Sequence, residues 1–373
     1  MDEPLRVLLA DFHTDWGGQA AYVLALARGL SGAGHSVTLA CPPDSMLEKR
    51  AEENGIPAFT GCSFRRGFRP LPLCRDILAL SRFLREAGTQ VVHTHGSQDC
   101  WRAALCSRPP GCRHVRTKHN SYPVAKHFAN KWLYRRGIDR LVVVASALKP
   151  LLAGLLPAER IDVVHAPVAE RFFDPPDGSG FRKELGVSSE VPLIGVVARL
   201  VRDKGQADVL RALPEVRRKF PEARVVFAGQ GTNRARLVAM AADMGLAEAV
   251  HFLGLRPDVL EITAALDIAV LASTACDASS TVVKEALAAG IPVVATEVGG
   301  IREIVEDRAT GRIVPPAKPE ALAAAIVETL SDRESAARSA RRGREVISER
   351  FSPPAFLENQ LAIYRKVLAG GER

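Results

Sequence analysis

What most constrains the fold is an alternation that runs, stops once, and starts again. Short runs of β-branched and aliphatic residues give strand expectations at Arg6–Ala10, Ser36–Cys41, Gln90–Thr94, His114–Thr117, Leu141–Val144 and Asp162–His165. Longer stretches of helical period lie between them, at Gln19–Leu30, Leu73–Glu86 and Val124–Arg136. Strand–helix alternation of this kind demands a parallel sheet covered on both faces. The pattern pauses at Pro167–Gly180 (PVAERFFDPPDGSG), which reads as a linker. It resumes with strands expected at Leu193–Ala198, Arg224–Ala228, Val250–Leu253, Ile268–Leu271, Pro292–Ala295 and Gly311–Val314. From Pro319 onward the chain reads as helical, with breaks at Gly343 and at Ser352-Pro353-Pro354. The 373 residues exceed one ordinary core and suit two domains of roughly 150–200 residues each. The expectation is α/β: an N-terminal domain over 1–168, a linker over 169–180, a C-terminal domain over 181–350, and a helix over 351–373 packing back on the N-terminal domain.

Composition narrows the class. Hydrophobic residues make up 47% and charged residues 25%, ordinary for a globular protein. No apolar run reaches the roughly 18 residues that cross a bilayer. The acidic start Met1-Asp2-Glu3-Pro4 does not read as a secretion signal, so a cytoplasmic protein is expected. Seven cysteines (41, 62, 74, 100, 106, 112 and 276) show no metal-type spacing and read as reduced thiols. The net charge of +8 is uneven. Residues 1–170 hold 22 Lys/Arg against 15 Asp/Glu, whereas residues 171–373 hold 28 against 27. Such a basic half attracts anionic membrane surfaces or phosphorylated acceptors. Nucleic acid is disfavoured as a partner, because only 6% of residues are aromatic and stacking platforms are few.

In open parallel sheets, ligands bind beyond the carboxyl ends of the strands, so loops that follow strands carry the candidates. In Asp11–Gln19 (DFHTDWGGQ), Gly17 and Gly18 precede a helix and let backbone N–H groups approach a phosphate. The dinucleotide fingerprint G-x-G-x-x-G is absent. In Val91–Gly96 (VVHTHG), His93 and His95 face one side of a strand, and His95 lies nearer its carboxyl end. Asp99 and His119 are conceivable further metal ligands, but no metal is expected. In Val196–Gly205 (VVARLVRDKG), Arg199 and Lys204 can converge on a diphosphate, the guanidinium by its fork and the ammonium as a point charge. Cations fixed there stabilise the charge that grows on a departing diphosphate.

Asp277–Ala295 (DASSTVVKEALAAGIPVVA) places an acid in a loop and a second acid, Glu285, in the helix that follows. The N–H groups around Ser280, Thr281 and Val282 are aimed outward at a helix start. Glu285 can accept hydrogen bonds from the vicinal hydroxyls of a ribose, and Asp277 can bond sugar hydroxyls.

With these motifs in view, the chain resembles the retaining glycosyltransferases of family four, with the GT-B fold. The resemblance covers nearly the whole length through GGQ, HTHG, ARLVRDKG, the AGQG turn (Ala228–Gly231), HFLG (His251–Gly254), DASSTVVKEALAAGIPVVAT and VGGIREIV. It implies two facing Rossmann-like domains with a cleft between them, acceptor on the N-terminal one and nucleotide sugar on the C-terminal one. It also implies retention of anomeric configuration, no cofactor beyond the nucleotide-diphospho-sugar co-substrate, and no bound metal. Carried over, Gly17 and Gly18 abut the donor diphosphate, His95 sits by the transferred sugar, Arg199 and Lys204 hold the diphosphate, and Glu285 holds the ribose. Gly229 belongs to the donor-side AGQG turn, and Leu255 and Arg256 lie by the nucleobase. Lys118 and His119, in RTKHN, are expected as acceptor or phosphate contacts. Two departures stand out: the family's first glutamate is here Asp277, and its Gly-Phe-Gly is Ala278-Ser279-Ser280.

The expected activity is transfer of a sugar to a saccharide or lipid-linked acceptor, in cell-envelope polysaccharide or lipopolysaccharide assembly, cytoplasmic or peripheral on the inner face of the membrane. A nucleotide-sugar epimerase is disfavoured by the Arg199, Lys204, Asp277 and Glu285 pattern. A catalytically silent nucleotide-sugar-binding protein remains the alternative from another class.

Overall fold

The computed structural model describes residues 3–370 apart from 66, 68 and 276, so Cys276, the first two residues and 371–373 lie outside the described residues. The chain divides into two compact units, Val168–Ser352 forming the second and the remainder of the chain on either side forming the first.

The first unit is built on a seven-stranded sheet in the order β3-β2-β1-β4-β5-β6-β7. Its strands are β1 (Arg6–Ala10), β2 (Ser36–Ala40), β3 (Ala58–Phe59), β4 (Val91–Thr94), β5 (Arg113–Lys118), β6 (Arg140–Val143) and β7 (Ile161–Val163). Every pairing is parallel. Both faces are covered, which is why β4 reads Val-Val-His-Thr and is buried at all four positions. β3 is absent from the strand expectations, because two residues carry no readable period. Packing around β1 and β4 joins Leu8, Val92, Leu80, Leu84 and Phe64, each leucine contributing roughly 1.5–3 kcal/mol by leaving water. A buried ion pair clamps two helices of this layer: Arg102 Nε donates to Asp76 Oδ2 at 2.8 Å. Asp76 also accepts the backbone N–H groups of Ser63 (2.9 Å) and Phe64 (3.1 Å).

The helix Pro353–Ala369 belongs to this first unit despite its position in sequence. The Tyr364 hydroxyl lies 2.7 Å from His93 Nδ1, Phe356 meets the Tyr22 ring edge-on at 4.8 Å, and Leu357 packs on Gly29.

The second unit has a six-stranded parallel sheet, β10-β9-β8-β11-β12-β13. Its strands are β8 (Leu193–Val197), β9 (Arg224–Ala228), β10 (Val250–Gly254), β11 (Ile268–Leu271), β12 (Val293–Thr296) and β13 (Arg312–Val314). The helix Gln206–Lys219 packs beside Pro319–Ser331, and Leu210, Leu213, Leu322 and Ile326 close the core over Phe227 and Val196. Strand ends otherwise differ from the expectations by one or two residues, the usual fraying of such boundaries.

Three expectations change. The break read at Gly343 is not there: Gly343 lies inside the helix Arg333–Phe351, and a Cβ on it would stand 2.7 Å from Leu287 Cδ2. The glycine is there for close helix packing, not for a turn. The stretch read as a linker is partly core of the second unit, since Glu170–Phe173 forms a 3-10 turn and Phe172 is buried. The single helix read over Val124–Arg136 is a short helix, Phe128–Trp132, running into a wide π-type turn, Leu133–Gly137.

Each sheet reverses its strand order once, between β1 and β4 and between β8 and β11. Crossovers leave such a switch point in opposite directions, and the loops beyond it part to make a crevice.

Candidate functional site

In the second unit, the switch-point loops are locked together by backbone contacts. Gly205 has φ +66°, and a Cβ on it would stand 1.8 Å from the Ala272 carbonyl oxygen, so only glycine lets the loop after β8 run this close to the end of β11. Gln206 Nε2 donates to the Arg199 carbonyl (2.9 Å), and the Thr274 N–H donates to the Asp203 carbonyl (2.9 Å). The Thr296 hydroxyl, at the end of β12, donates to the Ser273 carbonyl at 2.6 Å. Gly229, at φ +145°, brings the loop after β9 against the Ala198 carbonyl, where a Cβ would be at 2.0 Å.

This scaffold brings Lys204 and Asp277 together across 73 positions of sequence, with Nζ 2.7 Å from Oδ2 and both side chains mostly buried. Arg199 is exposed and has no ion pair among the described residues. Ser280 caps the helix Thr281–Ala288 and is buried, its hydroxyl without a partner among the described residues. The first turn of that helix carries no acid, and its first intrahelical donor is the Lys284 N–H to the Ser280 carbonyl, leaving the N–H groups of Thr281 to Val283 without a partner among the described residues. Thr281 is exposed and Val282 half-buried at this end. An anion is favoured there by open donors and by the helix dipole.

Glu285, in the same helix, lines a small cavity together with Gly195, Val197 and Thr263. Burial pushes its carboxyl up to about 7, against the pull of Lys284 and Arg171. Lys284 passes unnoticed in the sequence, and only its place in an aliphatic run (Val-Val-Lys-Glu-Ala-Leu) marks it. It is fully buried, its Nζ 3.1 Å from Ser279 Oγ and 5.4 Å from the Phe351 ring centre. Burial lowers its ammonium to about 8, while Glu285 and Asp277 oppose that shift. Lys284 thus tethers the Ala278-Ser279-Ser280 loop from beneath.

Leu255 is 73% exposed after β10. Arg256 beside it has its fork filled by Glu184 (2.7 and 3.1 Å) and Asp258 (2.8 and 2.6 Å). Side-chain contact with a ligand would require exchange of those carboxylates.

In the first unit, Gly17 and Gly18 start the helix Gly18–Gly32 on open backbone, with nothing within 4 Å of where a Cβ would be. Behind them Asp11, fully buried at the end of β1, accepts from His13 Nδ1 (2.7 Å) and Gln19 Nε2 (2.9 Å). The sequence reading missed this chain, although all three residues stand in the quoted loop.

His95 is buried at the end of β4, its Nδ1 3.0 Å from His119 Nε2 and its backbone N–H 2.8 Å from Asp99 Oδ2. Burial, then His93 and His119, holds it well below the ordinary histidine range, so it is neutral. Burial likewise brings His119 down to about 4, and burial with the neighbouring Asp11 lifts Asp99 to about 7. His119 is the half-buried member of the pair and His95 the buried one. His93 is occupied by Tyr364 and by Thr117 Oγ1, each at 2.7 Å. Lys118 donates to Asn120 Oδ1 (2.9 Å) and the Tyr122 carbonyl (2.8 Å), bracing the loop after β5.

Comparison with known proteins covers both units. Residues 16–171 match the model of Glycosyltransferase Family 4, and residues 179–346 that of Glycosyl transferases group 1. The N-acetyl-alpha-D-glucosaminyl L-malate synthase of Bacillus anthracis is 25% identical over 240 residues, 63% of this chain and 62% of that protein. The GDP-mannose-dependent alpha-(1-6)-phosphatidylinositol monomannoside mannosyltransferase of Mycolicibacterium smegmatis is 33% identical over 183 residues, 47% of this chain and 48% of that one. The chain thus spans 62% and 48% of the length of these two relatives. Among solved structures, a Rickettsia africae glycosyltransferase superposes with a TM-score of 0.90 at 21% identity, covering 99% of this chain and 100% of that one. Anabaena HepE in complex with UDP and glucose does so with 0.79 at 22% identity, covering 97% and 99%. At these identities the structures establish the fold.

Proposed function

Because the chain belongs to the GT-B glycosyltransferases of the family four type, we propose that it moves a sugar from a nucleotide-diphospho-sugar to a saccharide or lipid-linked acceptor with retention at the anomeric carbon. The observation that carries this reading is the cluster in the second unit: a lysine–aspartate pair, an open helix N-terminus, and a desolvated glutamate one turn further on. Lys204, with exposed Arg199 from the same loop, meets the diphosphate, whose charge displaces Asp277 from Lys204 and frees that carboxylate for sugar hydroxyls. The N–H groups at Thr281 and Val282 take further phosphate oxygens, and Glu285 takes the ribose diol. Gly229 and Leu255 border the nucleoside end. Because the cations and N–H groups are fixed before reaction, they stabilise the departing diphosphate more than the bound donor.

Acceptor binding falls to the first unit, with His119 and its neighbour His95, and the open backbone at Gly17 and Gly18 suits a phosphate. The acceptor hydroxyl attacks from the face the diphosphate leaves, and its proton passes to the departing phosphate oxygen. No cofactor other than the co-substrate is required. Relatives that act on a phosphatidylinositol mannoside, on malate and on inositol 3-phosphate support a small polar or lipid-linked acceptor. We place the reaction in the cytoplasm, in assembly of cell-envelope polysaccharide or lipopolysaccharide.

A panel of UDP-, GDP- and ADP-sugars finds the donor by the rise in melting temperature, followed by donor turnover and NMR of the product anomer. Lys204→Ala and Glu285→Ala are each expected to lower turnover tenfold or more, at 1.4 kcal/mol per decade. Near-normal turnover in both, or an inverted anomer, refutes the reading.

A further inference from the structure

Two of the three tryptophans, Trp101 and Trp132, are half-buried and stack on each other at 6.2 Å, whereas Trp16 is 43% exposed. One exposed apolar side chain means little by itself. The mounting of Trp16 gives it meaning. Its loop leaves β1 where the strand order of the first sheet reverses, which is where open parallel sheets take their ligands. Phe12 lies on Gly96, in the loop after β4, so closely that a Cβ on the glycine would stand 2.1 Å from Phe12 Cδ1. The buried Asp11 carboxylate turns the chain by accepting from the His13 N–H (3.2 Å) and Gln19 Nε2 (2.9 Å), with His13 Nδ1 at 2.7 Å. The Met46 N–H donates to the Thr14 carbonyl (2.8 Å) and so ties the loop to the helix Met46–Glu53. From that helix Arg50 lies over the Trp16 ring, 5.6 Å from its centre, and donates to Glu53 at 2.8 Å. The indole is therefore held in place and still meets solvent.

Polar atoms at the same strand ends point to a ligand rich in hydroxyls. Asp11 Oδ2, after β1, and His95 Nε2, after β4, are buried and have no partner among the described residues. Buried polar atoms of this kind call for a partner, and a hydroxyl, which both donates and accepts, serves a carboxylate and an imidazole alike. Charge then selects among hydroxylic ligands. The first half of the chain is basic as a whole, yet residues 11–19 and 44–53 carry six acids against Lys49 and Arg50. Of these acids Asp15, Asp44 and Glu52 are exposed. Such a field repels a phosphate or carboxylate at close range, whereas carboxylates accept readily from neutral hydroxyls. An uncharged sugar ring matches both features: its axial C–H groups lie on the negative face of an indole, and its rim of hydroxyls meets the acids.

We propose that Trp16 is a specificity-determining residue for the acceptor, an uncharged sugar ring of which stacks on its indole. The acceptor is then a saccharide with a neutral ring at this point, not a phosphorylated headgroup or an acyclic acid. Calling the ligand an acceptor rests on the transferase reading; its neutral ring and its seat on Trp16 do not.

The test follows tryptophan emission of the full chain during titration with the methyl glycosides of glucose, galactose, mannose and N-acetylglucosamine, and in parallel with glucose 6-phosphate and malate. At least one uncharged glycoside is expected to shift the emission to the blue and to saturate, with glucose 6-phosphate and malate binding roughly tenfold more weakly or not at all. Trp16→Ala should abolish that shift although Trp101 and Trp132 remain. In transfer to the same glycoside it should raise the acceptor KM about tenfold or more with little change in kcat, and Trp16→Phe, which keeps a flat ring, should restore most of the loss. Circular dichroism melts of both variants should match the native chain, since the side chain is exposed. Unchanged emission with every glycoside, a stronger response to glucose 6-phosphate or malate, or an undiminished acceptor KM in folded Trp16→Ala overturns the proposal. Donor turnover by the native chain is read separately: a glycoside seated on Trp16 without donor turnover removes only the transferase reading, and donor turnover with Trp16 silent removes only this platform.

Discussion

Glu285→Gln separates what the carboxylate costs the fold from what it does for the ligand. An unfolded glutamate titrates near 4.5, whereas burial lifts Glu285 to about 7. Over that window the folded protein holds a proton that the unfolded chain has released, so stability falls as pH rises from 4.5 towards 7 and levels off above. Two and a half units at 1.36 kcal/mol each make the loss about 3 kcal/mol. Glutamine keeps the shape and cannot ionise. The variant and the native chain should therefore match near pH 4.5, and the variant should be the more stable by about 3 kcal/mol near pH 8. All three tryptophans (16, 101 and 132) lie in the first unit, so urea unfolding must be followed by far-UV circular dichroism. If a ribose diol binds the ionised form, native affinity for nucleotide improves up to tenfold per pH unit until about pH 7 and then flattens, while the variant shows no such slope. Parallel stability curves for the two proteins would show that Glu285 is not desolvated and sink the reasoning.

Gly205→Ala forces a Cβ into the Ala272 carbonyl at positive φ, so a loss of at least about 2 kcal/mol is expected in thermal melts, with turnover falling as Lys204 shifts. Asp76→Asn leaves the Arg102 guanidinium buried without its counter-charge; a loss of about 3–5 kcal/mol in the first unit, read by tryptophan fluorescence, is expected. Tyr364→Phe removes one hydrogen bond to His93 and should cost about 1 kcal/mol in the same assay.

Strand–helix alternation made the two sheets legible, because a parallel sheet buried on both faces writes itself as runs such as Val-Val-Ala-Thr. The position of Lys204, Asp277 and Glu285 after strands was legible for the same reason. Their mutual arrangement was not: the Lys204–Asp277 contact spans 73 residues and depends on Gly205 meeting the Ala272 carbonyl. Gly343 shows the opposite difficulty, since a glycine that admits a neighbouring leucine and a glycine that ends a helix are the same letter. Arg256 was expected by the nucleobase and Lys118 at an acceptor or phosphate, and only folding reveals the carboxylates and carbonyls that occupy them. Lys284 was invisible because burial, which gives it its tether to Ser279, is a property of packing.

The helix Pro353–Ala369 carries a consequence for how the protein is made. A ribosome releases residues in order, so Val168–Ser352 can close its sheet and core while the first sheet still waits for the segment that covers Tyr22 and bonds His93. During synthesis the earlier-emerging unit therefore stays unfinished longer than the one that follows it. A chain truncated after Ser352 should protect Val168–Ser352 from protease and leave the first unit open to cutting.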